Sequence, residues 1–221
     1  MEKIDIIKSI SERTGGDIYL GVVGAVRTGK STFIKKFIEN LVVPNIEDEY
    51  ERKRCLDEIP QTAQGKTIMT IEPKFVPSTA AKIKVEEFET NIKLVDCVGY
   101  VIPAAKGYED EMGEPRMVKT PWYDEDIPFV EAAEIGTEKV IRDHSTIGIV
   151  VTTDGSIGDI TRNNYIEAEN EVISELKEIG KPFIVLLNSA HPTLPETERL
   201  AEKLKEEHNV PVIPISAETM N

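Results

Sequence analysis

Lys30 and Ser31 close the string GAVRTGKS at residues 24–31, which satisfies the pattern G-x-x-x-x-G-K-[ST]. Residues of these types at this spacing serve one kind of chemistry. Glycines let successive backbone N–H groups wrap a phosphate chain, a lysine amine reaches the outer phosphates, and a hydroxyl ligates Mg2+. Gly24, Ala25, Val26, Arg27, Thr28, Gly29, Lys30, Ser31 and Thr32 are therefore the expected nucleotide-binding residues. With glycine at about 7% of residues, four matched positions arise by chance in roughly one such chain in a hundred. A bare strand-to-helix turn with an exposed lysine is thus the weaker reading.

A phosphate loop needs a carboxylate near the metal, carried at the end of a neighbouring strand. The run KLVDCVG places Asp96 after an apolar stretch, with Gly99 three residues on. This D-x-x-G spacing is the switch pattern of GTPase-like proteins, in which the aspartate holds Mg2+ through water and the glycine N–H senses the terminal phosphate. The same branch needs a loop threonine that closes over the metal. The stretch GKTIMTIEPKFVP offers Thr67 and Thr70, and the distance from Thr70 to the following Pro and strand favours Thr70. Ser31, Thr70 and Asp96 are the expected metal residues, and Lys30, Thr70, Asp96 and Arg27 the expected catalytic ones.

Many GTPases carry a glutamine directly after D-x-x-G to orient the attacking water, whereas this chain carries Tyr100. Slow hydrolysis, or hydrolysis completed by another group, is the consequence. Arg27 occupies the loop position where cation-dependent relatives place an Asn or Ser, and its guanidinium could neutralise charge developing on the transferred group. An exposed or subunit-contacting arginine is the alternative.

The base-side strand of GTPases ends in N-K-x-D, whose aspartate accepts two hydrogen bonds from guanine. Here the letters are Asn188-Ser189-Ala190-His191. Without that acceptor guanine selectivity is forfeited, because strong discrimination comes from polar groups left unpaired by the wrong ligand. ATP is the expected substrate. Asn188 is expected at the nucleotide, as are Ser216 and Ala217 in the terminal ISAE, which resembles the base-side Ser-Ala loop; His191 reads more simply as a loop residue.

These groups need strands and helices to hold them. DIYLGVVG reads as a strand buried on both faces and STFIKKFIENLVV as a helix, so the phosphate loop joins strand to helix. Residues 4–13 read as a short amphipathic helix. Residues 44–80 read as a long connection with at most a short helix near Asp48 to Glu58, and residues 81–90 and 91–96 as two strands turning at Thr90-Asn91. Residues 99–128 read as a mobile acidic insert. Helices and strands then alternate from residue 131 to 217, the signature of an α/β fold with a mostly parallel sheet flanked by helices. The fold class expected is a P-loop NTPase of the GTPase-like, TRAFAC-type branch. The last strand is followed only by ETMN, so residues 1–221 are expected to form a single domain of a longer protein.

Composition narrows the partners. Forty acidic against 26 basic residues give a formal charge of −14, which opposes phosphate backbones and anionic lipid, so nucleic acid is not an expected partner. Apolar runs are strand-sized, far below the roughly 20 residues of a membrane span. The charged N-terminal stretch is no secretory signal, and a cytoplasmic location follows. Cys55 and Cys97 lack any spacing for a zinc site or disulfide framework. The acids at 109–126 could form a second metal site or, more simply, a solvated loop; Trp122 and Tyr123 within them could anchor a neighbouring subunit or a core.

The strings GDIYLGVVGAVRTGKSTFIKKF, GKTIMTIEPKFVP, LVDCVGY, KGYEDEMG, TPWY, EAAEIGT and HSTIGIVVTTDGSIGDI resemble the N-terminal ATPase domain of the stage IV sporulation protein A family of endospore-forming bacteria. The resemblance covers nearly the whole chain. It implies a GTPase-like fold that hydrolyses ATP with Mg2+, turnover driving self-assembly into a basement layer of the spore coat on the mother-cell side of the forespore. It also implies contacts with a small membrane anchor and other coat proteins through regions absent here. In that family the phosphate-loop lysine, strand-end aspartate and switch threonines carry the activity, matching Lys30, Asp96 and Thr70. One departure is Ile71, where the family often has a second threonine. A GTPase, a nucleotide-gated scaffold with little turnover, and a small-molecule kinase are the competing classes; no acceptor pocket or lid supports the last.

Overall fold

A computed structural model describes residues 17–59, 72–85, 88–105, 107–109 and 112–220. Thr67, Thr70, Ile71 and the helix expected at 4–13 lie outside the described residues. In chain order, β1 (Asp17–Val23) passes through a glycine loop into α1 (Lys30–Phe37), and α2 (Glu49–Asp57) follows. A hairpin of β2 (Lys74–Val85) and β3 (Phe88–Asp96) and a short ribbon of β4 (Met117–Val118) and β5 (Ile127–Pro128) come next. Then α3 (Phe129–Arg142), β6 (Ile147–Thr153), α4 (Ile166–Glu178), β7 (Phe183–Asn188), α5 (Pro195–His208) and β8 (Val212–Ile215) alternate.

Six strands form one sheet in the order β2-β3-β1-β6-β7-β8. Every pairing is parallel except that of β2 with β3. The chain leaves β1 towards β3 on one side and returns to β6 on the other, so the strand order reverses at β1. In open α/β sheets ligands bind outside the carboxyl ends of the strands at this reversal. The loop following β1 sits there.

Helices cover both faces because strand side chains alternate. Leu20 and Val22 of β1 pack with Phe33 and Ile34 of α1, while Val23 faces Val140 and Ile141 of α3 and Val172 and Leu176 of α4. Burying each such side chain contributes roughly 1.5–3 kcal/mol, which anchors β1 between the two helical layers. Lys181 fastens the far end of α3: its amine donates to the carbonyls of Ile141 and Ser145, satisfying the last turn.

Several boundaries differ from the sequence reading. The α-helical part of the 31–43 segment ends at Phe37 and passes into a wider π turn (Ile38–Val42) and a 3-10 turn (Val43–Asn45); Pro44 has no N–H to continue the ladder. The hairpin turns between Val85 and Phe88, not at Thr90-Asn91. Asn91 is a strand residue whose side chain donates to Asp17 Oδ1 at 2.8 Å, so its polar group is consumed across the sheet instead of making a turn. β2 starts at Lys74, earlier than expected, and the register shifts between Val76 and Ala81. Pro77 is tolerated there because β2 is an edge strand.

The insert is also more ordered than its composition suggests. Val118 with Phe129, Ala132 and Ala133 forms a small core of its own, and Lys139 lies over the Trp122 ring at 5.7 Å. Trp122 thus packs on α3, while Tyr123 is exposed. Among the described residues no group of three or more His, Cys, Asp or Glu is arranged to hold a metal ion, which leaves the acids at 124–126 as a solvated run. Cys55 and Cys97 are free and buried.

Candidate functional site

The loop between β1 and α1 is shaped by two backbone positions. Arg27 has φ 62°, unusual for a residue with a side chain, and Gly29 has φ 92° as the residue preceding α1. A Cβ on Gly29 would lie 2.3 Å from Asn188 Nδ2, so glycine is required both by conformation and by space. α1 then begins at Lys30 with its free N–H groups facing the loop, an electropositive end suited to phosphate.

Lys30 is buried, and its amine donates to Ala25 O at 2.6 Å and Gly24 O at 3.3 Å. An ammonium has three donors, so these two contacts orient the amine and leave one for a ligand. Burial lowers the Lys30 pKa, opposed by the thiol of Cys97 and the carboxyl of Asp96. Ser31 Oγ donates to Asp96 Oδ2 at 2.9 Å, joining the first turn of α1 to the end of β3. Burial pushes the Asp96 carboxyl above its usual range against the pull of Lys30, Ser31 and the Cys97 N–H, and Asp96 Oδ1 is buried with no hydrogen-bond partner among the described residues. An orphaned carboxylate oxygen beside a serine hydroxyl is a pair of hard oxygen donors, the type Mg2+ takes. The residues present therefore fit that ion.

Gly99 lies directly over this group with φ 88°; a Cβ there would come 2.0 Å from Gly24 O and 2.5 Å from Lys30 Nζ. Tyr100 then forms a parallel bridge with Ala25, its N–H donating to Gly24 O at 3.2 Å and its carbonyl accepting from Val26 at 2.8 Å. Its side chain packs in one cluster with Ala25 and Val26, and the hydroxyl donates to Glu175 Oε2 on α4 at 2.8 Å.

On the other side Asn188, at the end of β7, donates from Nδ2 to Thr28 O at 2.9 Å and accepts at Oδ1 from Ala217 N at 3.0 Å. One amide thereby ties the phosphate loop to the segment after β8. The Ser216 hydroxyl accepts from Thr219 N at 3.3 Å and shapes that segment. Ser189 is fully buried, its hydroxyl within 3.3 Å of Ser156 and 3.5 Å of Thr197, while His191 is exposed. Asp154 braces the same corner, accepting from Ser156 and Thr197; burial alone raises its carboxyl, but these hydrogen bonds and one from Ser189 hold it below its usual value.

The structure thus gathers Gly24 to Ser31, Asp96, Gly99, Asn188 and Ala217 around one crevice. Thr32 is partly buried in the first turn of α1, and Arg27 is exposed on the loop. Burial raises the Tyr165 hydroxyl, and the charge of Arg27 offsets part of that rise, which sets Arg27 beside the start of α4. Sequence reasoning missed Glu175 and the pair Arg162–Glu169, whose Nη2 and Oε1 lie 2.5 Å apart, with Arg162 Nη1 also donating to Thr152. A signal for the pair existed: Glu169 falls on the apolar stripe of α4 with Ala168, Val172 and Ile173, where a carboxylate must have a partner.

Curated proteins called "Stage IV sporulation protein A" from Bacillus anthracis and Bacillus subtilis (strain 168) are each 65% identical over all 221 residues, and one from Clostridioides difficile (strain 630) is 54% identical over 217 residues. The chain spans about 45% of the length of the two Bacillus relatives and 44% of the third. Two solved variants of SsGBP superpose with TM-scores of 0.49 and 0.48 at 20% identity, over 97% of this chain and 54% of theirs. The family model described as "Stage IV sporulation protein A, ATPase domain" matches residues 1–221, and the chain belongs to that family.

Proposed function

We propose that this domain binds ATP with Mg2+ in the crevice at the end of β1, hydrolyses it slowly, and couples that turnover to self-assembly of a spore-coat layer. The observation that carries the nucleotide part is the joined set of Lys30, Ser31 and Asp96, with its orphaned carboxylate oxygen. Lys30 and the loop amides bind the phosphates, Ser31 and Asp96 hold the ion, and the Gly99 N–H meets the terminal phosphate. When bound, the ion neutralises charge developing on the transferred phosphoryl group. Thr70 is the switch threonine of this reading, with Thr67 as its alternative. The assembly part rests on the family and its relatives' name; contacts with a membrane anchor or other coat proteins belong to the longer chain. No described helix is long and apolar enough to cross a membrane.

ATP is preferred over GTP because the groups that read guanine are missing. Position 191 has no carboxylate, and Ser189 is buried in its own hydrogen bonds, so no lysine covers the base. Equimolar GTP should therefore leave ADP formation from ATP within about a factor of two, whereas a guanine-selective site would show near-complete competition.

Arg27 contributes charge at the transferred group. Arg27→Ala should lower turnover at saturating ATP by about tenfold or more while leaving ADP affinity nearly unchanged. Unchanged turnover assigns Arg27 to the surface instead. The second reading, a nucleotide-gated scaffold with little turnover, is favoured by one observation: Tyr100 stands where a water-orienting side chain would be and is bonded to Glu175. Phosphate release by the purified chain, absent in Lys30→Ala, separates the readings.

A further inference from the structure

Between the end of β3 at Asp96 and Tyr100 the chain runs through Cys97, buried in the core with its thiol donating to Val22 O, and the half-buried Val98, and then carries the glycine over the lysine amine. The Asp96 end is fixed by the sheet. The Tyr100 end is fixed by two backbone hydrogen bonds to the phosphate loop and by its side chain, which is 6% exposed in a cluster with Val23, Ala25 and Val140. Apolar packing alone would hold the ring with some rotational and sliding freedom. The hydroxyl gives it a single address, Glu175 Oε2 at 2.8 Å. Glu175 is itself steered by Arg142 Nε of α3 at 3.4 Å, and Arg142 by Glu138 at 2.8 Å. Three residues on two helices thus converge on Tyr100, the point fixed to the phosphate loop.

We infer that Glu175 and Tyr100 act as positioning residues, their hydrogen bond setting the height of Gly99 above Lys30 and so the fit of the terminal phosphate. This rests on the reading of the crevice as an ATP site. Displacement of Tyr100 is passed to Gly99 one residue away, whose backbone already lies so close to Gly24 O that no Cβ fits. Phosphates nearer the base rest on the loop amides of 27–31, beyond Val26, whose N–H is the one given to Tyr100 O. Burial and the carboxylates of Glu175, Glu171 and Glu134 keep the Tyr100 hydroxyl protonated well beyond its ordinary range, so the donor is present at any physiological pH. A merely structural bond would affect all nucleotides alike; a positioning bond affects only the triphosphate.

The test uses the purified 221-residue chain with Mg2+, calorimetric titration with ADP and with the β,γ-imido analogue of ATP, and measured ATP turnover. Tyr100→Phe, which keeps the ring, and Glu175→Ala should each weaken the imido triphosphate and slow turnover about five- to tenfold, with ADP affinity held within about twofold. Glu175→Gln, whose amide oxygen still accepts, should stay near wild type. Equal weakening of both nucleotides, or no change in Tyr100→Phe, overturns the inference. If Glu175→Ala fails to fold, Tyr100→Phe and Glu175→Gln decide it. Wild-type chain that binds neither nucleotide overturns the site reading itself, an outcome distinct from failure of the positioning role.

Discussion

Lys30→Ala should abolish ATP turnover, by at least about a hundredfold, and remove the rise in melting temperature that ATP and Mg2+ produce in the wild type. The unliganded variant should melt within a few degrees of wild type. The reason lies in where the amine sits: it is buried, burial lowers its pKa, and its fixed partners are the carbonyls of Ala25 and Gly24. A buried ammonium is costly to desolvate, so its removal forfeits two hydrogen bonds but also relieves that cost. A lysine kept in the fold at such expense is kept for a ligand. Thermal scans with and without nucleotide check both halves; a large drop in the unliganded melting temperature would make Lys30 a structural residue.

Asp96→Asn should be comparably severe for function and comparably mild for stability. The amide keeps the volume and still accepts from Ser31, but it lacks the negative charge by which Asp96 is proposed to hold a divalent ion. Magnesium-dependent ATP binding should weaken by about two orders of magnitude, while binding measured without Mg2+ should change little. The buried carboxyl already titrates above its usual range, and Oδ1 has no partner, so neutralising it removes an unfavourable burial. Its loss leaves Lys30 without a nearby anion, which keeps the net stability change small: about 1 kcal/mol, or 2–4 °C for a chain of this size. Titrating Mg2+ into the variant with ATP present is the check; wild-type metal dependence would assign the ion to other residues.

The parts of this site that could be read beforehand are those written contiguously. The loop of 24–31 is a single string whose glycines have no other ready explanation, and Asp96 and Gly99 follow from one strand end. The alternation of helices and strands after residue 131 exposed the parallel sheet for the same reason, since each element carries its own period. What escaped depends on partners far apart in sequence. Asn188 is read from its place in a base-reading motif, and its amide bonds to Thr28 and Ala217, which join two loops, have no signal in that motif. Nothing near Tyr100 points to Glu175, which lies 75 residues away on α4. The hairpin turn was misplaced because Asn91 is a good turn former whose side chain is claimed by Asp17 across the sheet. The insert of 99–128 looked unstructured because its core is only Val118 against Phe129 and two alanines of α3, too small to give a period.

On the proposed reading, acceptance of ATP rests on a missing carboxylate and a buried Ser189, both at the β7 end of the sheet. Restoring a carboxylate at position 191 alone should therefore not restore guanine selectivity, since Ser189 remains turned into its bonds with Ser156 and Thr197.

Calorimetric titration of ATP into the purified chain with saturating Mg2+, repeated after preloading with GTP, tests the central claim most directly. One saturable site per chain, lost in Lys30→Ala and still open to ATP in the presence of equimolar GTP, is the expected result. Absence of binding heat with ATP and Mg2+, or complete exclusion of ATP by equimolar GTP, would contradict it.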